Sequence, residues 1–302
     1  MGFDTETITI SNISKDTLDK ALSILKKLQD LCDEDVEEAK KGSAADLDKL
    51  IGIRNKIQDE SSRYYELIPM AQYKNQIAPP MRNANFIKNT FTQLEQLREI
   101  EAASKILLGA LYRQSEVHPV DYIYQALNID IEHLPSSTAE YEAIAKYIKS
   151  TQDSNINYDT HKVKLFKVER KGEAEKYEQF RDVTNHRLLF HGSKMFNFVG
   201  ILKQGLRIAP PEAPATGYMF GKGLYFADMY AKSAQYSQMG MVGMMAASTQ
   251  STLLMLCDVA LGKMQRHYEA KNVEKLPAQF KSVHGVGRRG PNYDNCLIHP
   301  EG

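Results

Sequence analysis

Cysteine is scarce in this chain of 302 residues, and Cys32, Cys257 and Cys296 lie far apart with no CxxC spacing. That excludes a disulfide framework and a sequence-local zinc site, and a reducing compartment fits best. Net charge is absent too, because 38 Lys and Arg balance 38 Asp and Glu. No whole-chain field draws the protein to nucleic acid or to an anionic membrane, so any nucleic-acid site has to be a local patch. Long apolar runs are also missing, since no stretch reaches the roughly 18 apolar residues of a membrane span. The first twenty residues carry acids and no apolar h-region, so no secretory signal is expected and the chain reads as intracellular and soluble. No self-similarity recurs at a period of about 20–50 residues, which leaves repeat architectures without support.

What is present is an ordinary globular composition, 42% hydrophobic and 25% charged, at a length that suits two domains. From Ser14 the pattern is helical: Leu18, Ala21, Leu22, Leu25 and Leu28 form one stripe, with Ser14 as the cap. A second helix is expected from Ser43, using Leu47, Leu50, Ile51, Arg54 and Ile57 and closing near Tyr64, Tyr65 and Pro69. Met70 to Met81, with Pro79-Pro80, is a connector. A third helix runs from about Asn83 to Tyr112, with Phe86, Ile87, Phe91, Leu94, Leu97, Ile100, Ile106, Leu107 and Leu111 spaced for one face.

After His118-Pro119 the texture changes. Ser136 to Ser150 is a short helix, TQDSNINYDTH is a polar surface loop, and Val163 to Arg170 alternates as a strand. Further strands are expected at Arg187–His191, Gly223–Phe226 and Leu253–Leu261. The fold class is α+β, an all-α bundle followed by an α+β domain, parted between residues 1–130 and 131–302.

Four clusters in the second half can carry chemistry. LLFHGS places His191-Gly192-Ser193 directly after an apolar strand; it is either a strand-end turn or a place where bare backbone meets a ligand. Gly205 to Gly223 is rich in Gly and Pro and is followed or crossed by Tyr218, Phe220, Tyr225 and Phe226, which are either core or the lining of a functional loop. AKSAQYS puts Lys232 and Tyr236 on one face of a short helix beside Ser233. An aromatic, a hydroxyl and a cation so grouped can hold a flat amide-bearing ring near phosphate, or can be an exposed helix face. SQMGMVGMMAASTQST, residues 237–252, is a methionine-rich segment of adaptable character, a partner surface or a plain insertion.

The stretch HGSKMFNFVGILKQGLRIAPPEAPATGYMFGKGLYFADMYAKSAQYS closely resembles the donor site of the poly(ADP-ribose) polymerases, in particular their DNA-damage-type subgroup. LFKVERKGE, HRLLFHGS, LCDVALG and HGVGR also resemble that family's catalytic domain, while SRYYELIPM and HPVDYIYQALNIDIEHLP resemble its helical regulatory domain. The resemblance implies an ADP-ribosyltransferase-type split sheet over 131–302 and a cleft for NAD as substrate. It implies that His191 bonds the adenosine ribose, and that Gly192 pairs its backbone with the nicotinamide carboxamide. By the same resemblance Ser233 donates to that carboxamide, Tyr236 stacks on the nicotinamide ring, Tyr225 lines the opposite wall and Lys232 sits near ribose and phosphates in a catalytic position. Ser193 and Tyr218 are counted with the NAD-binding residues. No metal is expected.

The reaction implied is departure of nicotinamide from the ribose carbon, with ADP-ribose passing to protein side chains through an oxocarbenium-like transition state that needs negative charge beside it. In the family a glutamate in a late strand, within a Tyr-Asn-Glu-type segment, supplies that charge. This sequence does not contain the segment; the one glutamate after KLPAQFKSVHGVGR is Glu301, in a Pro-Glu-Gly tail, and the role is not carried over to it. The last strands of the catalytic sheet and the opening helices of the regulatory domain are expected to be missing. The alternative reading is an inactive relative that serves as a structural subunit of a larger protein assembly. No DNA-binding module and no membrane contact are expected in this chain. The resemblance implies a nuclear location, or a cytoplasmic or cytoskeletal one for a scaffold.

Overall fold

The computed structural model describes residues 14–70, 73, 77–114, 116–152, 163–208, 218–238, 252–287 and 290–291. The described residues up to Gln114 form one compact unit and those from Glu116 onward a second. Among the described residues no helix is long and apolar enough to cross a membrane.

Among the described residues, three α-helices build the first unit. Helix α1 (Lys15–Ala39) starts where the cap residue predicts, because the Ser14 hydroxyl accepts the Thr17 N–H at 3.1 Å. Its leucine stripe is buried as the spacing requires. Each such leucine contributes about 1.5–3 kcal/mol when removed from water. Helix α2 begins at Leu47 rather than Ser43 and runs to Leu67, capped by Asp46, which accepts from Lys49 N–H at 3.0 Å. Residues Gly42–Ala44 instead make one tight 3-10 turn. The cause lies at buried Glu38, whose carboxylate accepts from Lys41 Nζ (2.8 Å), Asp46 N–H (3.2 Å) and Lys49 Nζ (3.1 Å) and so gathers the whole connection. Those donors, Lys41 foremost, hold its pKa down to about 2.

The α2 face also differs from the expected one. Leu50, Ile53, Ile57 and Tyr64 are buried, whereas Leu47 and Ile51 point to solvent. Helix α3 (Ala84–Tyr112) is capped by Asn83 and buries Ile87, Phe91, Leu94, Leu97, Ile106 and Ala110. Leu107 and Leu111, expected inside, are exposed, because the buried line continues from Ile106 to Ala110 at a step of four.

The second unit opens with α4 (Pro119–Leu127), where Pro119 takes a first-turn position and Asn128 ends the helix in the left-handed region at φ 58°. Strand β1 (Ile129–Leu134) follows and pairs antiparallel with β2 (Leu165–Arg170). It spans the place where the sequence reading parts its two domains. Helix α5 (Ala139–Ser150) lies between them, capped by Thr138. After the short α6 (Glu173–Tyr177) comes β3 (His186–Gly192), then α7 (Phe198–Gln204) and α8 (Tyr230–Gln238). Strand β4 (Leu254–Ala260) pairs antiparallel with β3, setting Gly192 opposite Leu254 and His186 opposite Ala260. Strands β5 (Met264–His267) and β6 (Ser282–Gly285) pair in parallel. The observed class is α+β, with the strands described in three two-stranded sheets.

One expected strand is absent. Gly223–Phe226 forms no ladder; the backbone there bends, and only Ala227 bridges to Phe190. The Tyr225 phenol reaches back to donate to Gly221 O at 2.6 Å and accept from Phe220 N–H at 3.0 Å, which closes a turn that an extended chain could not make. Most of the polar loop TQDSNINYDTH and most of the methionine-rich segment lie outside the described residues, as do Cys296 and Glu301.

Candidate functional site

Phe190, in the middle of β3, is the hub on which the site is assembled. Its ring stacks on that of Tyr147 from α5 (centroids 4.8 Å apart, 25° between planes) and meets Tyr230 of α8 edge-on at 5.7 Å. Its carbonyl accepts from Ala227 N–H at 2.8 Å and from the Ser233 hydroxyl at 2.9 Å. Tyr147 is itself fixed, because its hydroxyl donates to Leu188 O at 3.0 Å and stands 3.4 Å from Asp228 O. These aromatic contacts and side-chain-to-backbone bonds dock α8 against the end of β3, where His191 and Gly192 emerge. Nothing in the sequence signals Phe190 as the hub, since its partners are 37–43 positions away and their meeting depends on the fold.

At Gly192 the approach is so close that a Cβ would fall onto the Ser233 carbonyl. No other residue fits there without parting the strand from the helix. Ser233 is almost fully buried, and its single hydroxyl proton is engaged by Phe190 O. With its proton so engaged, its remaining hydrogen-bonding capacity is as an acceptor. Donating to a carboxamide, as the resemblance implies, requires the O–H to turn away from Phe190.

His191 Nδ1 lies 2.8 Å from the Tyr225 carbonyl. A carbonyl only accepts, so Nδ1 carries a proton and donates it in this bond. Tyr225 is thus joined to His191 through its main chain, while its ring lies over Tyr218 (5.9 Å, 30°). Burial raises the Tyr225 phenol above its usual range against the lowering effect of the Phe220 N–H, and the nearby Tyr236 adds to the rise. Tyr225 and Tyr236 remain 38% and 51% exposed, open faces rather than core. Lys232 and Tyr236 share a face of α8 as their spacing predicts, with Lys232 Nζ 5.3 Å from the ring centroid. Ser193, past the end of β3, accepts from Asn197 Nδ2 at 2.9 Å and is only partly buried.

His191, Gly192, Tyr225, Ser233 and Tyr236 are therefore brought to one part of the second unit. Tyr218 joins them through its ring contact with Tyr225, Lys232 through Tyr236 and Ser193 by chain adjacency. Burial, opposed by Arg170, pushes the thiol of Cys257 on β4 up to about 11.

Comparison with known proteins places this chain in a family. The pattern described as "Poly(ADP-ribose) polymerase catalytic domain" matches residues 138–302, and "Poly(ADP-ribose) polymerase, regulatory domain" matches residues 1–124. The chain is 36% identical over 293 residues to "Poly [ADP-ribose] polymerase 1" of Gallus gallus, covering 96% of this chain and 26% of that protein. It is 34% identical over 301 residues to "Poly [ADP-ribose] polymerase 2" of Arabidopsis thaliana, covering 97% and 42%. With "Poly [ADP-ribose] polymerase" of Sarcophaga peregrina the identity is 40% over 252 residues, covering 83% and 24%. The chain thus spans between 24% and 42% of the length of these relatives. A catalytic-domain match over more than half of the sequence, joined to a regulatory-domain match over the helices, establishes that this chain belongs to the poly(ADP-ribose) polymerase family.

Proposed function

We propose that the second unit carries the NAD-binding cleft of an ADP-ribosyltransferase that moves ADP-ribose from NAD to protein side chains and releases nicotinamide. The observation that carries the reading is the closed backbone approach of Gly192 to Ser233, with Tyr225 and Tyr236 left open beside it. A cradle that excludes even a methyl group yet leaves two aromatic faces exposed suits a flat, amide-bearing ring. Tyr236 supplies a stacking surface, Gly192 supplies backbone polar groups, and the Ser233 oxygen supplies a third contact at the carboxamide. His191 Nε2 accepts from a ribose hydroxyl, and Lys232 stands on the same helix face for phosphate or ribose. Tyr218 and Ser193 complete the lining.

Such a cleft weakens the bond between nicotinamide and ribose by holding the leaving group and the sugar in fixed positions, which favours charge separation along one axis. The carboxylate that such a transition state requires is assigned to no residue of this chain.

Calorimetric titration of the chain with NAD and with a nicotinamide mimic tests the binding reading. Saturable binding that Ser233→Ala and Tyr236→Ala each weaken supports it, at about 0.5–1.5 kcal/mol for a lost hydrogen bond or ring contact. No heat at millimolar ligand would end it.

A further inference from the structure

We propose that Phe220 is a positioning residue, clamped by the β5–β6 sheet so that the Tyr225 wall and the His191 ring keep their places; this rests on the NAD-binding reading of the same cleft. The backbone of Phe220 is held from both sides. Its N–H donates to the Tyr225 phenol at 3.0 Å, and its carbonyl accepts from Val273 N–H at 3.4 Å. Next to it, Met219 O accepts from Lys271 N–H at 2.9 Å. The turn that carries the wall is therefore tied to residues 271–273, the connection between β5 and β6.

The side chain repeats the pattern. The Phe220 ring stacks on His267 at the end of β5 (6.2 Å, 24°) and lies directly on Gly285 at the end of β6, where a Cβ would collide with ring carbons Cε2 and Cζ. Gly221, at φ +86°, completes the seat, since a Cβ there would come within 2.5 Å of Val273 O.

From Phe220 the constraint passes to the cleft in two steps. The phenol of Tyr225 is bonded to Phe220 and Gly221, and the carbonyl of Tyr225 receives the His191 Nδ1 proton. A displaced Phe220 moves the phenol, then the ring of the wall, then the acceptor that sets the His191 orientation. A shift of about 1 Å in a group that positions substrate can cost up to about a hundredfold in the property it serves.

Gly285 makes the idea testable, because it is not among the glycines with left-handed φ and an alanine there meets no backbone strain, only the Phe220 ring. The full chain is compared with Gly285→Ala, Phe220→Leu and the double variant, by NAD titration and by hydrogen exchange. Gly285→Ala is expected to weaken NAD binding about tenfold, Phe220→Leu about threefold, and the double variant no more than Phe220→Leu alone, because the smaller side chain removes the collision. Exchange over residues 219–225 accelerates in Gly285→Ala while exchange over β3 stays as in the parent, a split that general destabilisation would not give.

Parent-like NAD affinity in Gly285→Ala, or losses that simply multiply in the double variant, would overturn the clamp. Should the parent chain bind no NAD, the binding reading falls and exchange alone decides the clamp: acceleration confined to 219–225 supports it, and unchanged exchange overturns it. If Gly285→Ala does not fold, the same exchange comparison is made on Phe220→Leu.

Discussion

The two units are held together by different means. In the helical unit the core is a continuous set of apolar side chains from Leu18 to Leu97, most of them aliphatic, delivered by helices whose caps are supplied by Ser14, Asp46 and Asn83. In the second unit the described core around the site is small, Tyr147, Ile148 and Phe190 with a few partly buried neighbours. Its ordering comes instead from hydroxyls bonded to backbone carbonyls and from glycines where two chain segments touch. A core of side chains loses stability with the contacts removed from it, because many small contacts share the load. A site made by backbone apposition is sensitive instead to an added atom, because one extra methyl has nowhere to go.

The comparison is broken most severely by emptying the helical core. Leu25→Ala is expected to destabilise the helical unit by about 2–5 kcal/mol, read from the midpoint of denaturant unfolding followed by helix signal. A loss below 1 kcal/mol would mean that the site collapses freely and that the core is not close-packed. Next comes Gly192→Ala, where adding one carbon rather than removing three is expected to cost about 1–3 kcal/mol and to abolish NAD binding, measured by thermal shift and calorimetry. Parent-like binding by this variant would deny the close contact with Ser233.

Ser233→Ala sharpens the contrast at lower cost. It removes one hydrogen bond while Phe190 O keeps Ala227 N–H, so the stability loss is expected at about 0.5–1.5 kcal/mol with no cavity penalty. The finest effect is one of pH. Glu38 has a folded-state pKa of about 2 against an ordinary value of 4.5, so between these values the unfolded chain binds more protons than the folded one. The stability that Glu38 lends the α1–α2 connection is complete above pH 4.5 and is lost as pH falls toward 2. Glu38→Gln should flatten that part of the pH profile of the helical unit, and an unchanged slope would show that Glu38 gains nothing from its three donors.

The same division governs what could be read from the chain. The α1 stripe and the cap at Ser14 were legible because a helix repeats every 3.6 residues and a cap acts on its immediate neighbours. The start of α2 was not, because Glu38 and Asp46 decide it across the connection while Ser43 looks locally like a good cap. Gly223–Phe226 has strand composition, yet it is a turn because Tyr225 bonds back onto Gly221 and Phe220. The pairing of Lys232 with Tyr236 was visible as a spacing of four, whereas the roles of Phe190, Phe220, His267 and Gly285 were invisible, since each acts on a residue far along the chain.

The sequence by itself determined the helical bundle, the strands β2, β3 and β4, and the identity of the residues available to a donor site, because these follow from periodicity, capping and an unbroken stretch of family resemblance from His191 to Ser237. Only the tertiary structure decided which of those residues meet, that the Ser233 hydroxyl donates to the Phe190 carbonyl, that His191 is oriented by the Tyr225 carbonyl, and that Phe220, beneath the wall, rests on Gly285. Such facts depend on distances between segments remote in sequence, fixed by the packing of whole elements, and no local pattern of residues encodes them.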